Sequence, residues 1–157
     1  MALKLLFLYG LAIIAGALIP VQAATNAMLS KVTGHVLYSS LILFGVGMAL
    51  VLVFILLFRP TPPSLEELMA APLHSYAGGL IVATYVLSIT FLAPRIGVGN
   101  AVLFIVTGQI LSAALIDHYG LFGASIFTLN AGKIMGLSCM IVGLVIVNYS
   151  QKTVYSQ

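Results

Sequence analysis

The chain has 157 residues, 62% of them hydrophobic and 6% charged, with a mean hydropathy of +1.21. A soluble domain is about 25% charged, so this composition excludes a water-soluble monomer and reads as an all-α integral membrane protein. The net charge of +3 is spread as single cations over loops and ends (Lys4, Lys31, Arg59, Arg95, Lys133, Lys152), which excludes the clustered basic face that nucleic acid requires.

A spanning helix needs about 20 mostly apolar residues, and five stretches qualify. The first covers residues 3–29. Its beginning imitates a signal peptide, with Lys4, an apolar run and a small-residue site near Ala23. The helical pattern continues past Ala23 to Leu29, which predicts a retained span. The second covers 36–58 and stops at Arg59-Pro60. In the polar connector that follows, Ser64 and Glu67 have the spacing of a capping box, predicting a short surface helix over 65–71. The third span covers 75–92 and ends at Pro94-Arg95; a turn over 97–100 leads to the fourth, 101–116, closed by residues 117–120. The apolar stretch 121–129 is too short to cross and is expected to be a re-entrant or interfacial loop. Asn130 can cap the fifth span, 131–149. The expected organisation is a single five-helix membrane domain.

Within the first span, Pro20 precedes Gln22 and Asn26. Two amides four residues apart share one face of a helix, and a polar side chain inside a bilayer is costly enough to need a partner or a cavity. Pro20 frees the Gly16 carbonyl and can kink the helix, which suits a gate. At 1.5 Å per residue, Gln109 lies roughly 12 Å from Asp117, close to mid-depth of the fourth span. Gln22, Asn26 and Gln109 are therefore the leading candidates to line a central pathway, with Tyr85 and Ser88, three apart on the third span, as secondary ones. The competing reading is that Gln22 and Gln109 bond each other or a neighbouring backbone carbonyl as interhelical glue, worth about 1 kcal/mol. Asp117 opposes the macrodipole at a helix C-terminus and calls for a partner; it is read either as a turn-forming side chain or as a coupling or gating group.

No carboxylate falls within a span, so exchange of a cation for protons on a central acid is disfavoured and neutral or zwitterionic cargo is expected. The single Cys139 excludes an internal disulfide. His35, His74 and His118 share no ligand spacing, so no metal and no cofactor are expected. No nucleophile, base and orienter assemble in one place, so an enzyme is not expected. On the last span Gly132, Gly136, Cys139 and Gly143 form a small-residue face of the kind that lets backbones approach; it fits packing within the subunit or a dimer interface.

Five spans put the two termini on opposite sides. Lys4, Arg59 and Lys133 then fall on one side, and Lys31, Arg95 and Lys152 on the other. Orientation follows the Lys/Arg bias of short loops, and here there is none, so insertion both ways up is permitted. An antiparallel homodimer would supply the inverted repeat on which many transporters are built.

Several motifs in order (Pro20-x-Gln22-x-x-x-Asn26-x-x-Leu29, Gly78-Gly79, Pro94-Arg95-x-Gly97, Gly108-Gln109, and Asp117-His118-x-Gly120-x-x-Gly123) resemble the YdcZ-like family of the drug/metabolite transporter superfamily. The resemblance covers essentially the whole chain. It implies a half-size, five-helix unit of the inner membrane corresponding to one inverted half of a ten-helix transporter. It further implies that spans one, three and four line the pathway and the last packs near the dimer interface. The chain departs from the expected pattern in having Tyr76, and no tryptophan, at the membrane edge before the third span. The function expected is secondary transport or facilitated passage of a small polar, neutral or zwitterionic solute by alternating access. A non-transporting subunit that regulates a larger complex, or a lipid-headgroup flippase, are the alternatives.

Overall fold

The structure is a computed structural model that describes residues 2–155, and side chains over 3–150. The described residues are helical or irregular, without a strand, and five helices are long and apolar enough to cross a membrane. Two compact units are present, one ending at Val98 and the other beginning at Gly99.

In the first unit, helix α1 runs Ala2–Thr33, one turn beyond the expected end. Thr33 Oγ1 bonds back to the Leu29 carbonyl at 3.0 Å, and Lys31 suits the negative end of the helix dipole. Gly34, at φ 76°, then stops the helix in the left-handed conformation. Pro20 lies inside α1 without ending it. Helix α2, Val36–Phe58, has the predicted bounds; the His35 imidazole caps it by accepting from the Leu37 N–H at 3.1 Å. The surface helix α3, Leu65–Ala70, opens on the expected capping box. A 3-10 turn, Leu73–Ala77, leads into α4, Gly78–Ile96.

Helix α4 departs from expectation at its end, for it carries Pro94 inside its last turn. Proline removes one bond to the carbonyl four residues earlier, and so close to the C-terminus that loss is small. Arg95 lies 3.4 Å above the centre of the Phe91 ring and donates to the Phe91 carbonyl, covering another end carbonyl.

Helices α1, α2 and α4 each pack on the other two. The contact faces follow helical spacing: Ala23, Asn26 and Ala27 from α1, Ser39 and Ser40 from α2, and Val86, Ile89, Thr90 and Ala93 from α4, all buried. Small side chains dominate because close backbone approach, rather than expulsion of water, drives helix association in lipid. Away from this contact the surface is apolar: Leu3–Tyr9 of α1 and Gly45–Phe58 of α2 are exposed. Such a surface requires a bilayer.

In the second unit, α5 runs Val98–Tyr119 and α6 runs Ala131–Tyr155. The expected turn over 97–100 is shorter than predicted, with Gly97 alone (φ 83°) separating α4 from α5. Between α5 and α6 the stretch 121–130 folds onto the end of α5. Phe127 N donates to the Asp117 carbonyl at 2.9 Å, and Leu129 N donates to His118 Nδ1 at 3.1 Å. Gly120 adopts φ 62°, and a methyl group there would stand 2.8 Å from Ile126 Cγ1, so both backbone and space call for glycine. Asn130 caps α6 as expected, accepting from Lys133 N at 2.8 Å.

Candidate functional site

The α1–α2–α4 bundle holds polar atoms that it does not satisfy. The amide nitrogen of Asn26 donates to the Thr90 hydroxyl at 2.7 Å, a buried bond between α1 and α4. The Asn26 amide oxygen, the Gln22 amide nitrogen, the Ser40 hydroxyl and the Tyr85 hydroxyl are also buried, yet none has a hydrogen-bond partner among the described residues. Asn26 and Ser40 are each only 3% exposed. A buried polar group left unpaired costs about 1–3 kcal/mol, so four of them in one bundle are an expensive arrangement for packing alone.

Their heights along the helices are ordered. The C-termini of α1 and α4 and the N-terminus of α2 lie at the same end of the bundle. Counted from that end at 1.5 Å per residue, Ser40 lies about 6 Å deep, Asn26 and Thr90 about 10 Å, and Gln22 and Tyr85 about 16 Å. A hydrocarbon core is about 30 Å thick. The polar side chains therefore descend from one membrane edge to mid-depth.

No ionisable carboxylate, lysine or arginine occurs in the sequence between residues 5 and 30, 36 and 58, or 78 and 94. The series can therefore offer N–H and O–H donors (Gln22, Ser40, Tyr85) and carbonyl or hydroxyl acceptors (Asn26, Ser40, Tyr85), but no fixed charge. It can solvate a neutral polar group, or a zwitterion whose charges cancel.

Three of the candidates from sequence, Gln22, Asn26 and Tyr85, share this bundle. Ser88 does not join them. The buried face of α4 centres on Val86, Ile89, Thr90 and Ala93, and at 100° per residue Ser88 points about 150° away from it; its side chain is exposed. Gln109 belongs to the second unit, where it is exposed on α5. Asp117 contributes its backbone carbonyl to the 121–130 loop, while the fastening side chain is that of His118 rather than the Asp117 carboxylate. Gly132, Gly136, Cys139 and Gly143 are exposed on α6, and a methyl group on Gly136 or Gly143 would touch nothing within 4 Å.

Sequence reasoning passed over Ser40 and Thr90. Both hydroxyls were open to the common reading of a bond back to their own helix, as Thr84 and Ser138 do make. Only the neighbouring helices distinguish them.

Five helices long and apolar enough to cross a membrane, among the described residues, define a multi-pass membrane protein. The chain belongs to the YdcZ family of that class: the family model described as "Putative inner membrane exporter, YdcZ" matches residues 7–146. No curated protein and no solved structure matches the chain. Membership places it in the inner membrane, in keeping with its five apolar helices.

Proposed function

We propose that this chain exports or facilitates passage of a small polar solute, neutral or zwitterionic, by alternating access within an antiparallel dual-topology homodimer. The observation that carries the reading is the descent of unpartnered polar atoms from one membrane edge to mid-depth, without a charged residue. One copy offers such a half-path. A second copy inserted the other way up would offer the complementary half from the opposite face, which is the logic of inverted repeats. Gln22 and Tyr85, at mid-depth, stand where the two halves would meet. Gln109, close to the middle of α5, is proposed as a further contact. Pro20, about half a turn before Gln22 on α1, is the proposed hinge, since the missing hydrogen bond lowers the cost of bending there.

The test is flux in proteoliposomes with a panel of neutral, zwitterionic, cationic and anionic solutes, comparing the wild type with Gln22→Leu and Tyr85→Phe. Flux of a neutral or zwitterionic compound, reduced at least several-fold in both variants with folding intact, is the expected result. A preference for permanent cations, or flux indifferent to both substitutions, would remove this bundle as the pathway.

A further inference from the structure

The second unit carries a feature that the transport reading does not use. Between α5 and α6, which make no close backbone contact, lies an open groove of about 400 Å³, lined by Ile110, Ala113, Asp117, Lys133, Gly136 and Met140 among others. Its polarity is graded. Asp117 closes α5 and Lys133 opens α6, so both charges stand at the membrane edge. Ile110 and Met140 each lie seven residues further along their helices, about 10 Å deeper into the membrane. The groove is thus charged at its mouth and apolar along its depth.

The mouth is held by the 121–130 loop. Phe127 N–H donates to the Asp117 carbonyl at 2.9 Å, and the Lys133 ammonium donates to the Phe127 carbonyl at 3.3 Å, with its nitrogen 5.5 Å from the Phe127 ring centre. One residue therefore positions both charged ones. The lysine ammonium keeps two further N–H donors, and the Asp117 carboxylate accepts none of the loop bonds just described.

We propose that this groove is a binding site for one zwitterionic glycerophospholipid, its headgroup cation against Asp117, its phosphate against Lys133, and the upper part of an acyl chain along Ile110, Ala113, Gly136 and Met140. Charge complementarity selects the occupant. An anionic lipid would gain Lys133 but set its net charge against Asp117, whereas a headgroup carrying both signs meets both side chains. The depth gradient selects an amphiphile over a water-soluble zwitterion, which has nothing to place against the apolar wall. Gly136 is shared by both faces of α6, but at 100° per residue Lys133 and Met140 are turned about 90° from Gly132, Cys139 and Gly143, so lipid and a second copy can occupy neighbouring faces.

The experiment uses the full-length protein in vesicles of phosphatidylglycerol containing a trace of phosphatidylethanolamine with a diazirine in its acyl chain. After illumination, label is expected to concentrate on peptides spanning 110–117 and 133–140. Added phosphatidylethanolamine should compete at least several-fold better than phosphatidylglycerol. Lys133→Gln should lower labelling, and Asp117→Asn should abolish the preference between the two headgroups. Label spread evenly over all lipid-facing helices, or equal competition by both lipids in the wild type, would overturn the assignment. So would protection of the 110–117 peptide from label by crosslinking to a second copy.

Discussion

Asn26 and Thr90 illustrate how a polar residue in lipid can serve structure and chemistry at once. Its nitrogen ties α1 to α4, while its oxygen is left over. Bonded and unpaired groups should therefore respond differently to substitution. Thr90→Val leaves the whole Asn26 amide buried and unpaired and should destabilise by about 1–3 kcal/mol. Asn26→Leu removes the unpaired oxygen but leaves the buried Thr90 hydroxyl without its partner and should cost stability as well, whereas Ser40→Ala removes only an unpaired hydroxyl and should leave thermal stability in detergent unchanged or raised. Transport should fall in all three. A marked loss of stability in Ser40→Ala would show instead that this hydroxyl is structural. Gln22, Asn26 and Tyr85 were legible in the sequence because an amide or phenol in a greasy segment stands out. Ser40 and Thr90 were not, because a hydroxyl that bonds its own helix and one that faces a partner look alike until the partner is in place.

Among the elements, those fixed by local chemistry agree with expectation and those fixed by packing do not. The α3 capping box is local: Ser64 N donates to Glu67 Oε2 at 2.7 Å, its hydroxyl does so at 3.0 Å, and Glu67 N donates back to that hydroxyl at 3.2 Å. The Ser64 backbone N–H first, and its hydroxyl second, hold the Glu67 carboxyl below its ordinary pKa. A pKa lowered by folding means that the contribution is present above the unfolded carboxylate range and is lost as pH falls through the depressed value. Hydrogen exchange at residues 64–67 should accordingly speed up on acidification, whereas Glu67→Gln should exchange at a rate independent of pH once the intrinsic chemistry is removed. Exchange in the wild type that ignores protonation would deny the carboxylate this role. The rotation of α4 is the contrary case. Tyr85 and Ser88 do lie 60° apart as the sequence implies, but α1 and α2 take the face centred on Ile89, which leaves Ser88 outside. The end of α4 also escaped prediction, because a proline in the last turn costs one hydrogen bond rather than the helix.

At the scale of the molecule, the proposed insertion both ways up and pairing of two copies rest on the balanced cations and the odd number of spans. Cys139 lies within about 2 Å of the middle of the Ala131–Ser150 span along its axis, and it is exposed. Two copies joined antiparallel through the glycine face of α6 would bring this residue close to its counterpart. Mild oxidation in membranes should give a covalent dimer that Cys139→Ser abolishes, and reporters fused to the C-terminus should give signal from both sides. A reporter confined to one side would refute dual topology, and the absence of a covalent dimer would move the interface off this face. Composition by itself determined that the chain lives in a membrane as five helices, because hydropathy over some 20 residues is a local sum and needs no neighbour. Caps at Asn130 and Ser64 were equally local. Tertiary structure decided which polar atoms are left without partners. In a membrane helix that is apolar all round, no periodicity in the sequence marks the face that packs, so only contact among α1, α2 and α4 could bring in Ser40 and Thr90 and leave Ser88 out.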